Sequence, residues 1–356
     1  MKRTFLFLLI LIVVVYAKQA YNLHLSNLFA KERITGSLSD VAEEVIAIPL
    51  EPAGDYQIKK ARNVRQEGKN LFLISDETLY RYSRNGEFIC RITNPAEIKV
   101  AGYVVNQLQH ELIVLGNTDD IFYYSYEGEL LEKKKLKSDL PEQKMLSVSM
   151  HKDRIWMMEE HVSVDTETNI SKIEKQVVGY DTSFRKKETR KLIHSDLGRE
   201  QYMPACFSPQ LFVDKGSDLL YAHSPSLQPE HLLTDTLYLK QRWRNQLISA
   251  WYDNSVPLFP VNPGSRFWLS TYTCSSDESL SYTFFYDTKT EQGIQVQGGF
   301  HDNFYQTGRV EEIENMDMYN QTYCFCKSGK DVENLFPDKT KGDENVVLFI
   351  VKLKQA

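Results

Sequence analysis

The sequence predicts an all-β chain of repeated four-stranded units, and three observations carry that reading. Residues 77–90 read ETLYRYSRNGEFIC and residues 119–132 read DDIFYYSYEGELLE, so acid, aliphatic, aromatic, aromatic and glycine recur at matching places. Six short apolar stretches recur along the chain: LFLIS (71–75), LIVLG (112–116), RIWMM (154–158), DLLYA (218–222), RFWLS (266–270) and TYCFC (322–326). A lone strand, EEVIAIPLE (43–51), precedes the first unit, and the strand-rich NVVLFIVKLK (345–354) ends the last.

Each unit gains further strands on inspection. An aromatic strand follows most of the six: TLYRY (78–82), IFYYSY (121–126), QVVGY (176–180), DTLYL (235–239) and YTFFY (282–286). Ahead of them lie IKKARNV, YVVNQL, MLSVSM, QLFVD, a weaker candidate near 256–261, and VEEIENM. The first two copies turn at Asn85-Gly86 and Glu127-Gly128, and Asn-Gly is a strong hairpin signal because both residues tolerate positive φ. Four short strands repeated every ~40–60 residues are the pattern of a β-propeller, whose blades bury their faces only by stacking. The expected fold is a six-bladed β-propeller of four-stranded antiparallel blades over 40–356. Strand 43–51 is expected to close the ring by joining the C-terminal blade.

The N-terminus reads MKRTFLFLLILIVVVYAKQA. Lys2 and Arg3 precede an apolar run from Phe5 to Ala17, shorter than the ~20 residues that span a bilayer. Val15 and Ala17 satisfy the small-residue rule, so cleavage after Ala17 is expected, with 18–39 as a lead-in; the alternative is that the segment is retained as a membrane anchor. No cysteine follows the run, so a lipoprotein is not expected. The expected location is periplasmic or cell-surface. Cleavage takes the basic count from 42 to 40 against 48 acidic residues, near −8, which argues against a nucleic-acid partner. Five scattered cysteines are too few for a disulfide scaffold, and Cys324 and Cys326 share a strand face, so buried free thiols are expected. The basic runs at 132–139 and 184–191 read as outer-strand solvent faces.

Loop lengths sort by position. With strands A to D running outward, A–B and C–D turns lie on one face of a propeller, and B–C and D–A loops on the other. The long segments are B–C insertions at 160–172, 224–233 and 327–344, and D–A insertions at 194–208 and 298–308. All belong to one face, where long loops on a rigid scaffold carry binding. His194, Glu200, Tyr202, His231, His301, Asp302, Asn303 and Tyr305 lie in or beside them and form the candidate polar-aromatic rim. GGFHDNFY (298–305) is the least ordinary of these stretches. The eight histidines show no His-x-His and no HExxH spacing, and no GxSxG elbow or phosphate-cradling loop occurs, so no metal, cofactor or catalytic residue is assigned.

SLSDVAEEVIAIPLE (37–51), ETLYRYSRNGEFICRI, DTLYLKQRWRNQLISAWYD and VVLFIVKLK resemble stretches of the exported six-bladed propellers common in Bacteroides-type bacteria, an NHL-like family. The resemblance covers roughly 37–354 and implies a fold and a compartment, with no catalytic motif to carry over. The chain departs from that family in lacking a lipobox cysteine, in reducing the Gly-rich stretch after the first blade to TNPAEIKVAG, and in reading GGFHDNF before the sixth. The function expected is a monomeric, non-catalytic binding or scaffold protein for a glycan, peptide or protein partner. The alternative is a polysaccharide hydrolase or lyase with its site in the central funnel.

Overall fold

A computed structural model describes residues 32–33, 35–54, 56–116, 120–136, 144–168, 170–198, 210–214, 219–224, 233–234, 266–274, 277–287, 289–290, 292–317, 322–337 and 346–354. In chain order the first elements are β1 (Glu32–Arg33), a 3-10 turn at Leu38–Asp40, and β2 (Ala42–Pro49). Sheet 1 follows as β3 (Arg62–Glu67), β4 (Asn70–Ser75), β5 (Thr78–Ser83) and β6 (Phe88–Arg91). Sheet 2 is β7 (Val100–Asn106), β8 (Glu111–Gly116), β9 (Asp120–Ser125) and β10 (Leu130–Lys135). Sheet 3 is β11 (Lys144–His151), β12 (Arg154–Asp165), β13 (Ile170–Asp181) and β14 (Lys186–Gly198). Sheet 4 shows β15 (Gln210–Asp214), β16 (Leu219–Ser224) and β17 (Leu233–Thr234). Sheet 5 is β18 (Phe267–Cys274), β19 (Asp277–Asp287) and β20 (Gln292–Gln297). A hairpin of β21 (Phe300–Asp302) and β22 (Gly308–Val310) leads to sheet 6, β23 (Glu314–Asp317), β24 (Thr322–Ser328) and β25 (Val346–Leu353).

The chain is thus all-β, built of antiparallel meanders that are four-stranded where fully described. The N-terminal segment supplies the outer strand of two sheets. β2 pairs antiparallel with β25, from Ala42 opposite Leu353 to Pro49 opposite Val347, which is the pairing expected for 43–51. β1 pairs parallel with β20, Glu32 opposite Gln295. Among the described residues sheet 5 therefore takes its fourth strand from the N-terminal lead-in. The expected strand DTLYL and the weak candidate near 256–261 lie outside the described residues, as do the apolar run 5–17 and its cleavage site. Among the described residues no helix is long and apolar enough to cross a membrane.

The apolar runs have a packing cause. A strand covered on one face alternates apolar and polar, but a second strand buried between two neighbouring sheets must be apolar at every position. In β4, Leu71 and Leu73 face sheet 6 while Phe72 and Ile74 face sheet 2. In β8, Leu112 and Val114 face sheet 1 while Ile113 and Leu115 face sheet 3. In β25, Val347, Phe349, Val351 and Leu353 face sheet 5, and Val346, Leu348 and Ile350 face sheet 1. Ser147 of β11 accepts the Leu211 N–H of β15 at 2.9 Å, tying sheet 3 to sheet 4. The sheets thus follow one another in the order 5, 6, 1, 2, 3, 4.

The matching stretches 77–90 and 119–132 turn in the same way in both copies. Ser83 and Ser125 each accept two backbone N–H bonds at 3.2 Å, from Asn85 and Glu87 and from Glu127 and Glu129. Gly86 and Gly128 follow at φ 89 and 85. Only the glycine, not Asn85, takes a positive φ, so the turn is a three-residue loop with a bulged glycine and not the two-residue form expected. Glycine is required for a second reason. A Cβ would lie 2.1 Å from the Pro49 carbonyl oxygen at Gly86 and 2.9 Å from that of Arg91 at Gly128, each at the end of the preceding sheet's outer strand. Sheet 3 builds the turn with other residues: Asp181 Oδ1 accepts from Ser183 and Arg185, and Phe184 holds φ 57.

Candidate functional site

The hairpin at 298–310 begins with Gly298 and Gly299 at φ 69 and 78, where a Cβ on Gly299 would overlap the Val310 carbonyl oxygen at 1.8 Å. This lets the chain reverse tightly and lay β21 against β22. Asp302 points inward and is fully buried. Its Oδ1 accepts from the N–H groups of Phe304 and Tyr305 at 3.0 and 3.2 Å, and its Oδ2 from Thr307 Oγ1 at 2.6 Å and Thr307 N–H at 3.4 Å. The carboxylate is the internal frame of the loop.

The neighbours of Asp302 turn to the N-terminal segment. Asn303 Oδ1 accepts the Ser39 N–H at 3.1 Å and Asn303 Nδ2 donates to Ser39 Oγ at 2.7 Å. Tyr305 OH donates to the Val45 carbonyl at 3.2 Å, and its ring meets Phe349 edge-on at 5.4 Å. The His301 N–H donates to the Gly36 carbonyl at 2.6 Å, while the His301 side chain stays exposed. Gly36 permits this approach, because a Cβ there would come within 2.8 Å of Val296. The structure brings His301, Asp302, Asn303 and Tyr305 together, and three of them spend their polar groups within the chain. Glu200, Tyr202 and His231 lie outside the described residues. His194 is on β14, opposite Glu174 of β13.

The segment 160–172, expected as an insertion loop, is strand. β12 and β13 run on in unbroken pairing to Asp165 and Ile170, and β14 follows β13 to Gly198. Among the described residues the pairing of β11 stops at Lys144 opposite Glu160. The three strands therefore carry about five further residues each, roughly 16 Å at 3.3 Å per residue. Val164 on this extension is 46% exposed. At its root Glu159 is buried and accepts from Gln176 Nε2 at 2.9 Å and Tyr180 OH at 3.2 Å. In sheet 5, β18 and β19 pair at Thr273 and Cys274 beyond the reach of β20, which ends opposite Tyr282.

Two polar clusters were not singled out by the sequence. The first joins the inner strands of sheets 6, 1 and 2. Asn63 sits in a bulge of β3 at φ 49. Its N–H donates to Glu314 Oε2 at 3.2 Å, and its carbonyl accepts from Tyr103 OH at 2.7 Å. Arg65 Nη1 reaches the carbonyls of Asn315 and Met316 at 3.2 and 3.3 Å. Burial pushes the Glu314 carboxyl above its ordinary value, against the pull of the Asn63 N–H and Lys60. Burial likewise pushes the Cys324 thiol well up and that of Cys326 to about 12, so both are inert thiols. Among the described residues Cys90, Cys324 and Cys326 are free, with Cys324 buried as expected and Cys90 and Cys326 only partly buried.

The second cluster is Tyr56, 39% exposed, stacked at 10° on Tyr80 with its hydroxyl bonded to Asp76 Oδ2. That hydrogen bond first, then burial, raises the Tyr56 phenol to about 12. Asp76 and Glu77 form a two-residue turn with both φ positive, 43 and 58, which Asn-Gly would occupy with less strain. Among the described side chains no three ligating groups converge on a metal position.

No protein-family model matches the chain, and no curated protein matches it. Solved structures are similar at low identity. A chain of a nidogen/laminin complex is 13% identical, with TM-score 0.34, over 63% of this chain and 74% of that one. The CNH domain of AfRom2 is 11% identical, with TM-score 0.43, over 88% of this chain and 100% of that one. A Bacteroides thetaiotaomicron protein of unknown function is 9% identical, with TM-score 0.40, over 90% of this chain and 75% of that one. These likenesses are too distant to carry a ligand or an activity to this chain.

Proposed function

We propose that the chain is an exported six-bladed propeller, its ring completed by β2, that acts as a non-catalytic binding or scaffold protein. It engages a peptide or protein partner through the end that carries the sheet 3 extension. The observation that carries this reading is the extension itself: three paired strands prolonged beyond the inner strand, with Val164 exposed and Val162 half-buried. Apolar side chains on a rigid projecting ribbon suit a partner surface. The continuous order of six sheets and the β2–β25 pairing support the ring.

The test is capture from an envelope extract with the mature chain and with a Val162→Ser/Val164→Ser variant of unchanged melting temperature. The same partner bands should be held by the first and lost by the second. Equal capture by both would reject the extension as the binding surface. A mature N-terminus at Lys18, read by sequencing the exported protein, checks the compartment. One observation favours the second reading, a polysaccharide hydrolase or lyase: Glu314, an inner-strand carboxyl raised by burial as a general acid requires. Loss of polysaccharide cleavage in Glu314→Gln would establish it.

A further inference from the structure

The segment that leads from β2 into β3 fixes one aromatic ring at the surface. Ala53 and Tyr56 form a single antiparallel bridge around Gly54, which holds φ 68. The Ala53 N–H donates to the Tyr56 carbonyl at 2.8 Å, and the Tyr56 N–H to the Ala53 carbonyl at 3.4 Å. The Tyr56 ring lies on that of Tyr80 of β5, with centroids 6.1 Å apart and planes within 10°. Tyr80 is buried while Tyr56 is 39% exposed, so one face of the Tyr56 ring is covered and the other is turned to solvent. The hydroxyl is held by Asp76 Oδ2. A backbone bridge, a stack and a hydrogen bond thus hold still a ring that a surface tyrosine ordinarily swings freely.

The electrostatics of this ring select a ligand. The face of an aromatic ring is negative and attracts a cation placed over it. Donation of the phenol to a carboxylate is a charge-assisted bond, and it leaves more electron density on the ring. Asp76 spends only Oδ2 on the hydroxyl, and Oδ1 has no partner among the described residues. Negative charge therefore stands at the edge of the ring. Glu77 does not add to it, because Lys99 Nζ lies 3.1 Å from its carboxylate. A guanidinium matches this arrangement. It stacks flat on an aromatic face and turns its N–H fork to a carboxylate in the same pose, whereas an ammonium is a compact point charge. The whole chain is acidic, 48 Asp and Glu against 42 Lys and Arg, which complements a basic ligand.

We propose that Tyr56 and Asp76 bind an arginine side chain of a peptide or protein partner. This is a second site, separate from the sheet 3 extension, and it rests on the proposed function only for the class of partner.

The test is an NMR titration of the whole mature chain with the capped tripeptide acetyl-Gly-Arg-Gly-amide. Binding should saturate, and acetyl-Gly-Lys-Gly-amide should bind at least ~threefold more weakly. Tyr56→Ala should weaken arginine binding about fivefold, the size of an exposed cation–π contact. Asp76→Asn should weaken it about threefold. Glu87→Gln removes an exposed carboxylate at the other end of β5 and should leave binding unchanged. Absence of saturable arginine binding overturns the proposal. So does an equal loss in Glu87→Gln and Asp76→Asn, because net charge alone would then explain the attraction. If Tyr56→Ala fails to melt cooperatively, Tyr56→Leu takes its place, and full arginine binding by that variant overturns the proposal. Val162→Ser/Val164→Ser should bind the arginine peptide as the wild type does. Failure of this site and failure of partner capture by the extension are therefore separate results.

Discussion

The hairpin at 298–310 and the extension of sheet 3 look alike as sequence, yet they do opposite things. Both are long polar segments assigned to the same face. In the hairpin, Asp302, Asn303 and Tyr305 spend their polar groups on the loop itself, on Ser39 and on Val45. In the extension, paired strands continue outward and leave Val164 exposed. The difference teaches that a polar loop becomes a lock when another segment of the chain is within hydrogen-bond reach. Strands prolonged past their neighbour satisfy their backbone by pairing, which leaves their side chains available.

The largest expected effect tests the lock from the N-terminal side. Deleting residues 1–31 should leave the described fold intact. Deleting 1–41 removes Leu38 and Val41, both fully buried, and should cost about 3 kcal/mol or more in denaturant unfolding. Deleting 1–49 removes β2 and should leave no soluble folded protein. Equal melting of all three would break the comparison.

Within the hairpin the contrast sharpens between adjacent residues. Asp302→Ala removes a buried carboxylate with four hydrogen bonds and should cost about 3 kcal/mol. His301→Ala, at an exposed side chain, should change stability by no more than ~0.5 kcal/mol. A ligand-binding role for Asp302 would instead show as lost affinity at unchanged stability.

The smallest effect concerns the inner strands. Burial raises Glu314 in the folded state above its ordinary value of 4.5, so between that value and the folded one the folded chain holds more protons than the unfolded chain. Its contribution is present below the ordinary value and is lost as pH rises through the folded one. Glu314→Gln keeps an acceptor for Asn63 and should flatten the pH dependence in that window. A variant with the wild-type slope would remove Glu314 as its cause.

Much of the architecture was legible because its cause is local or periodic. Apolar runs such as LFLIS mark the recurring strands, and Gly86 and Gly128 mark turns that require a positive φ, although the three-residue form with its serine acceptor was not read from the sequence. The register was not legible. Glu159 and Gln176 are neighbours only through the pairing of β12 with β13, and a one-residue slip would put either on the other face. The fate of GGFHDNFY was hidden for a related reason. Whether Asn303 meets solvent or Ser39 depends on where the lead-in docks, a long-range contact. The polar junction around Asn63 depends on a bulge that no residue pattern announced.

The most direct test of the account is hydrogen exchange of the β2 amides compared with those of β24 and β25. Strands that belong to one cooperative sheet open together, whereas an appended terminus frays first. The account predicts that amides of Ala42–Ile48 paired to β25 exchange with the same opening free energy as the central strand. Exchange of β2 well ahead of β25 would contradict it, and the N-terminal segment would then be an attachment and not the strand that completes the fold.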